Sequence, residues 1–260
     1  MFSVFCPPLR RLITFVLAPL ALLASTAHAD LVETIRLVKP SVVVVGTFDR
    51  LRSPQFVLRG TGFAVGDGRL IATNHHVVKF DLPPGGGERL AILVRDGKET
   101  TVREATLARG NAEHDLAILR VQAPLPPLTL AADEEAKEGL PVAFMGFPIG
   151  EALGYSPVTH RGMISSITPI ANPGGNERYL TAKSISRLRS GAFDIYQLDA
   201  TAYPGNSGGP LFDAESGKVL GIINMVLVKG SKEAALTKPS GISYAIPAKY
   251  LAALLKDAEK

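Results

Sequence analysis

An all-β protein is what this sequence predicts, and three observations carry the expectation. Its 25 glycines and 19 prolines cut the chain into short apolar runs. Most of those runs are rich in valine and isoleucine, which suit a half-buried pleated surface better than a helix. Helical spacing shows only near the two ends of the body, over residues 31–38 and 247–255. Many short strands in a chain of this length imply a sandwich or barrels, and composition does not choose between them.

Residues 1–29 read as a cleavable export signal rather than as part of the fold. Arg10 and Arg11 precede the apolar run 12–23, and Ala27-His28-Ala29 supplies small residues at the two positions a signal peptidase reads, with cleavage after Ala29. The apolar run falls short of the roughly 20 residues a membrane-spanning helix needs, so no stable membrane anchor is expected after cleavage. The sole cysteine, Cys6, leaves with this segment, and the mature chain must hold together by core packing without disulfides. Two arginines leave as well and no acid, so the net charge of +4 overstates the mature protein's basicity. With no tryptophan and no basic cluster interleaved with stacking aromatics, nothing points to nucleic acid.

Within the body, strands are expected at 41–47, 62–65, 70–73, 90–94, 117–121, 142–146, 162–167, 196–198 and 219–226. Pro247 suits the first turn of a closing helix. The natural break runs from the proline-rich 123–127 to the charged 132–138, and divides the body into residues 30–130 and 131–260. Three segments read as surface loops: 79–89, with Pro83-Pro84-Gly85-Gly86-Gly87; 168–194, long for a compact domain; and 228–240.

The residues with chemistry are few. In Tyr203-Pro204-Gly205-Asn206-Ser207-Gly208-Gly209-Pro210 a serine sits between glycines, on a bend that runs into Leu211 and Phe212 as into a strand. An isolated serine of this kind is ordinary turn material. As a nucleophile it would need a neutral histidine to take its proton and a buried carboxylate to hold that histidine. Thr73-Asn74-His75-His76-Val77-Val78 and Glu113-His114-Asp115-Leu116-Ala117-Ile118-Leu119 offer both at the edges of apolar runs. Asp115, rather than Glu113 or His114, abuts the buried run, where an ion needs a partner. Two adjacent histidines at a strand end would point opposite ways, so one of them faces a cleft. A metal site for the pair lacks any further His or Cys cluster to complete it.

These blocks, with Gly60-Thr61-Gly62-Phe63-Ala64-Val65, Gly221-Ile222-Ile223-Asn224 and Gly241-Ile242-Ser243-Tyr244-Ala245-Ile246-Pro247, resemble in type and order the chymotrypsin-fold, trypsin-like serine proteases of the HtrA/Deg-type bacterial branch. The resemblance covers roughly residues 31–250. It implies two six-stranded β-barrels, 30–130 and 131–260, with the active cleft between them. It implies His76 as general base, since it directly precedes Val-Val and follows Thr-Asn by two. It implies Asp115 as the residue orienting that base, Ser207 as nucleophile, and the N–H groups of Gly205 and Ser207 as oxyanion hole. Thr201 falls where trypsin-like enzymes place the acid that binds Arg or Lys and is not an acid. With Asn224, Met225, Val226 and Ile242 it would line an uncharged pocket for small or aliphatic residues.

The family needs neither metal nor organic cofactor. Its substrates are polypeptides, unfolded or misfolded proteins above all, handled in the periplasm or after secretion, by monomers or homotrimers. Relatives commonly carry PDZ domains after the protease region, and none is expected here. The competing expectation is a latent protease-fold module that binds peptides or acts as a chaperone until a partner touches the 168–194 loop.

Overall fold

The computed structural model describes residues 30–79, 87–97, 99–148, 154–169, 193–224 and 241–258. The export segment 1–29 and most of the three expected loops lie outside these residues.

Helix α1 (Leu31–Val38) opens the described chain, its first turn capped by the Asp30 carboxylate, which accepts from Val32 N at 3.3 Å. Seven strands follow: β1 (Val42–Phe48), β2 (Phe56–Val65), β3 (Leu70–Asn74), β4 (Arg89–Asp96), β5 (Glu99–Glu104), β6 (Thr106–Asn111) and β7 (Leu116–Arg120). A single helical turn, α2 (His75–Val78), continues directly from β3. The sheet order is β5-β4-β1-β2-β3-β7-β6, every pair antiparallel. Its two edge strands are separated in sequence by Ala105 alone, which is buried and donates its N–H to Leu90 O at 3.0 Å. One stretch bent at Ala105 therefore pairs with β4 by its first half and β7 by its second, and curls the sheet round on itself. Val42 to Val45 of β1 lie in the middle, all buried, which is why that strand reads as an unbroken valine run rather than an alternation.

The later half forms a closed barrel of β8 (Pro141–Gly146), β9 (Val158–Pro169), β10 (Asp194–Asp199), β11 (Pro210–Asp213), β12 (Val219–Ile223) and β13 (Ile242–Pro247), ordered β10-β13-β12-β11-β8-β9 and shut by the β9–β10 pair. The chymotrypsin-like plan of two β units is thus the observed architecture. Helix α3 (Ala248–Ala258) leaves the barrel and returns to β6 and β7 of the first sheet, burying Leu251 completely. Arg109 Nε and Arg120 Nη2 donate to the carbonyls of Asp257 and Ala258 at 3.1 and 3.0 Å, so the first sheet satisfies acceptors at the helix's open end. One core cluster crosses between the halves, joining Phe63, Leu116 and Ile118 to Met145, Phe147 and Phe212.

Several strands depart from the pattern the sequence suggests; β2, expected only over 62–65, begins at Phe56. β5 and β6 are not predicted because their side chains are mostly exposed, and the backbone ladder alone makes them strands. β13 is masked in the sequence by its short mixed run Ile242-Ser243-Tyr244-Ala245. β9 is longer than its predicted core of 162–167, running from Val158 to Pro169. His75 and His76 lie in a helical turn and not at an alternating strand end, so adjacent positions diverge by about 100° rather than pointing to opposite faces.

Candidate active site

Three local structures converge between the sheet and the barrel. The first is the end of β3. Asn74 closes the strand, and the turn of α2 carries the His76 ring back toward the loop before β7. Asp115 waits there with φ 53°, in the left-handed region, which costs a non-glycine residue energy but suits aspartate better than most. Hydrogen bonds on every side hold that conformation. Its carbonyl accepts from His75 N at 3.0 Å and from Asn74 Nδ2 at 3.1 Å. Its carboxylate accepts from His76 N at 2.8 Å through Oδ1, while Oδ2 lies 2.6 Å from His76 Nδ1.

Oδ2 also accepts from Asn224 Nδ2 at 2.8 Å, across the boundary from the end of β12. Burial alone would push the Asp115 carboxyl up, but the His76 ring, its charge, its backbone N–H and the Asn224 amide together hold it below the usual carboxylate range. Asp115 is therefore an anion at neutral pH, and His76 Nδ1 is fixed as the protonated nitrogen. Nε2 is left as the basic one.

The turn before β11 is the second structure. Ser207 is 6% exposed, and the adjacent Asn206 is fully buried. Gly205 and Gly208 have φ of 103° and 87°, conformations only glycine adopts without strain. The N–H groups of Asn206, Gly208 and Gly209 are spent on Tyr203 O, Ile223 O and Asn206 O, at 2.9, 2.9 and 3.0 Å.

The third structure is the middle of β2, which sews this turn to the first sheet. Thr61 N donates to Ser207 O at 2.8 Å, and Thr61 Oγ1 donates to Gly205 O at 2.6 Å while accepting from Phe147 N at 3.1 Å. Gly60 has no side chain because none fits: a Cβ there would lie 2.7 Å from Val77 Cγ2 and 2.8 Å from Ser207 O. The residue after His76 and the carbonyl of Ser207 thus flank the same glycine. A Cβ at Gly208 would likewise lie 3.2 Å from Asn74 N, so the serine turn rests on the strand end that launches His76.

The other residues singled out in the sequence take varied places. His75 turns from the Asp115 carboxylate: its Nδ1 is buried with no partner among the described residues, and a Cβ on Gly110 of β6 would lie 3.1 Å from it. Asn224, expected in a pocket wall, is 1% exposed with its amide on Asp115 and its N–H on Tyr244 O at 2.9 Å. Thr201 follows β10, and Ile242, 42% exposed, opens β13 beside it. Met225 and Val226 lie outside the described residues.

Sequence reasoning misses two supporting residues. Ser243 Oγ donates to Ala200 O and accepts from Ala202 N, both at 2.8 Å, clamping the backbone on either side of Thr201. Thr61 joins the serine turn to β2. Both lie inside recognisable blocks, and their position there is the signal that could have found them. No three His, Cys, Asp or Glu side chains gather to hold a metal ion among the described residues.

The family model for the trypsin-like peptidase domain matches residues 60–222. A Halomonas elongata protein named a probable periplasmic serine endoprotease, DegP-like, is 32% identical over 193 residues, covering 72% of this chain and 32% of its own length. Serine protease HTRA3 of Mus musculus is 31% identical over 236 residues, 88% of this chain and 44% of its own. This chain spans about a third of the length of the DegP-like relatives. Among solved structures, an HtrA-type protease, AlgW, with tripeptide superposes with a TM-score of 0.59 at 25% identity, over 87% of this chain and 62% of that one.

Proposed function

The chain belongs to the trypsin-like peptidase family, and from that premise we propose that it is a serine endopeptidase of HtrA type, built on two lobes, 30–130 and 131–260, with the active cleft between them. The observation that carries this reading is the Asp115 carboxylate held at once by His76 from the first sheet and Asn224 from the barrel, beside a serine turn sewn to both.

In this mechanism Ser207 Oγ attacks the scissile carbonyl carbon as His76 Nε2 takes its proton. Asp115 stabilises the imidazolium that forms and keeps Nδ1 protonated. Charge developing on the carbonyl oxygen is met by the N–H groups of Gly205 and Ser207. Collapse of the tetrahedral intermediate expels the amine, which receives the proton from His76, and leaves an acyl-enzyme. Water, deprotonated by the same nitrogen, then releases the acid and restores Ser207.

Thr201, Asn224, Met225, Val226 and Ile242 would shape the pocket for the residue before the cut. None carries a charge, which favours small or aliphatic side chains. A peptide library showing a dominant preference for Arg or Lys there would overturn that assignment. The substrates are polypeptides of the exported compartment, the periplasm first, with unfolded chains most open to attack, and the working unit is a monomer or homotrimer.

The test is labelling of the chain lacking residues 1–29 with a fluorophosphonate probe, beside digestion of unfolded casein. Labelling and cleavage that both vanish in Ser207→Ala, a loss of roughly four to six orders of magnitude in turnover, support the mechanism. A folded wild-type protein that does neither overturns it in favour of a latent peptide-binding module.

A further inference from the structure

A second histidine stands against the serine turn from the far side. His160 lies on β9, opposite Phe144 of β8, and its ring stacks on Phe144 with centroids 4.7 Å apart and planes 15° from parallel. Its edge meets the turn itself: His160 Nε2 is 3.3 Å from Asn206 Nδ2, and the Tyr203 ring lies tilted at 6.0 Å. Asn206 is the residue between Gly205 and Ser207, and it is fully buried. Its other amide atom, Oδ1, is buried without a partner among the described residues, facing Gly146, where a Cβ would lie 2.7 Å from it.

An amide donates through nitrogen only, so His160 Nε2 must be the unprotonated nitrogen for this contact to be a hydrogen bond. The ring is then neutral with its proton on Nδ1. Burial favours that state by holding the ring below the usual imidazole range, and no charged side chain among the described residues contributes. Tyr203 is the titratable group facing the ring from the turn, Phe144 on β8 has none, and Arg161 on β9 itself belongs to a groove with Asp213 and Glu215.

A proton on Nε2 would set donor against donor. The amide can relieve this by turning over, which brings the unpartnered Oδ1 to the new N–H and swings Nδ2 toward Gly146. A Cβ at Gly146 would lie 3.0 Å from Thr61 Oγ1, the atom that holds Gly205 O. The two amide orientations therefore differ beside the bond that fixes the turn.

We propose that His160 is a positioning residue for Gly205, Asn206 and Ser207: the neutral ring anchors the turn through the Asn206 amide, and protonation reverses that amide and loosens the turn. This rests on reading the turn as the nucleophile's. It makes the enzyme least competent in acid for a reason separate from protonation of His76.

The deciding experiment is NMR of the ring nitrogens and side-chain amides in Ser207→Ala, which needs no activity. The expected result is an Nδ1-protonated His160 at neutral pH and an Asn206 amide resonance that moves with the His160 midpoint. An Nε2-protonated neutral ring, or an Asn206 amide indifferent to that titration, overturns the proposal. In the active chain, His160→Gln keeps an acceptor that cannot take a proton but gives up the stack on Phe144, and should lose one acid-side ionisation from the kcat profile while retaining more of the neutral-pH rate than a variant with no acceptor. His160→Phe keeps the stack without the acceptor, and should lower kcat about tenfold at all pH with KM little changed. A wild-type acid limb retained in His160→Gln overturns the positioning role. Absence of labelling and cleavage in wild type would defeat the proteolytic reading instead, and the NMR arm would still decide the His160–Asn206 coupling.

Discussion

Asn224 Nδ2 donates to the same Asp115 oxygen, Oδ2, that His76 Nδ1 reaches, at 2.8 and 2.6 Å. The barrel thus completes the solvation of a carboxylate belonging to the other sheet. Removing the amide leaves a largely buried anion short of one hydrogen bond and less able to orient His76. Asn224→Ala should therefore lower kcat/KM about ten- to a hundredfold, the worth of a hydrogen bond to a charged group. Asn224→Asp should do worse by setting a second carboxylate against the first. Steady-state kinetics on one peptide would check both, and an unchanged rate in both variants would remove Asn224 from the machinery.

The acid side of the stability profile should carry the signature of Asp115. Its folded-state pKa is depressed, so the unfolded chain binds its proton more readily than the native one. The stabilisation is fully present above the unfolded value of about 3.9 and is lost as pH falls through the lower folded value. Urea unfolding between neutral pH and this acid window should show wild type losing stability faster than Asp115→Asn. Parallel curves would mean the carboxylate's partners do not discriminate its charged form.

Thr61 is a structural prediction with a kinetic consequence. Its hydroxyl holds Gly205 O and receives Phe147 N, and valine keeps its shape without either bond. Thr61→Val strands a buried acceptor and a buried donor, which should cost about 1–3 kcal/mol of stability. Denaturant midpoints would measure it. Turnover should fall as the serine turn loosens, and Thr61→Ser should restore both quantities.

How much of this was legible beforehand depended on the distance over which each role is decided. His76, Asp115 and Ser207 stand out as candidates through the blocks they sit in, where Val77, Leu116 and Gly208 carry the family resemblance, and the structure brings the first two within 2.6 Å of each other. Asn224 reads from its block as part of a pocket wall and not as a partner of Asp115, since that carboxylate is 109 positions away. β5 and β6 are invisible to periodicity for a related reason: Ala105 buries itself while Glu99, Thr100 and Thr101 stay exposed, so only backbone pairing defines them. His160 has no local mark at all. What gives it meaning is Asn206, 46 residues on, brought under it by barrel closure.

Gly205 and Gly139 separate the chemistry of the turn from the strain of a positive φ. Both are left-handed, at 103° and 84°, but a Cβ at Gly139 meets nothing within 4 Å, whereas one at Gly205 collides with the carbonyl oxygen of Phe147. Gly139→Ala should therefore show the backbone cost alone, about 1–2 kcal/mol, with activity intact. Gly205→Ala must move a peptide unit as well, and the unit that moves is the one proposed to present an oxyanion donor. Its kcat should fall at least about a hundredfold, the loss expected of one such donor. Comparing denaturant midpoints and single-turnover rates of the two variants decides the matter. If Gly205→Ala is destabilised but acylates at the wild-type rate, the oxyanion is held elsewhere.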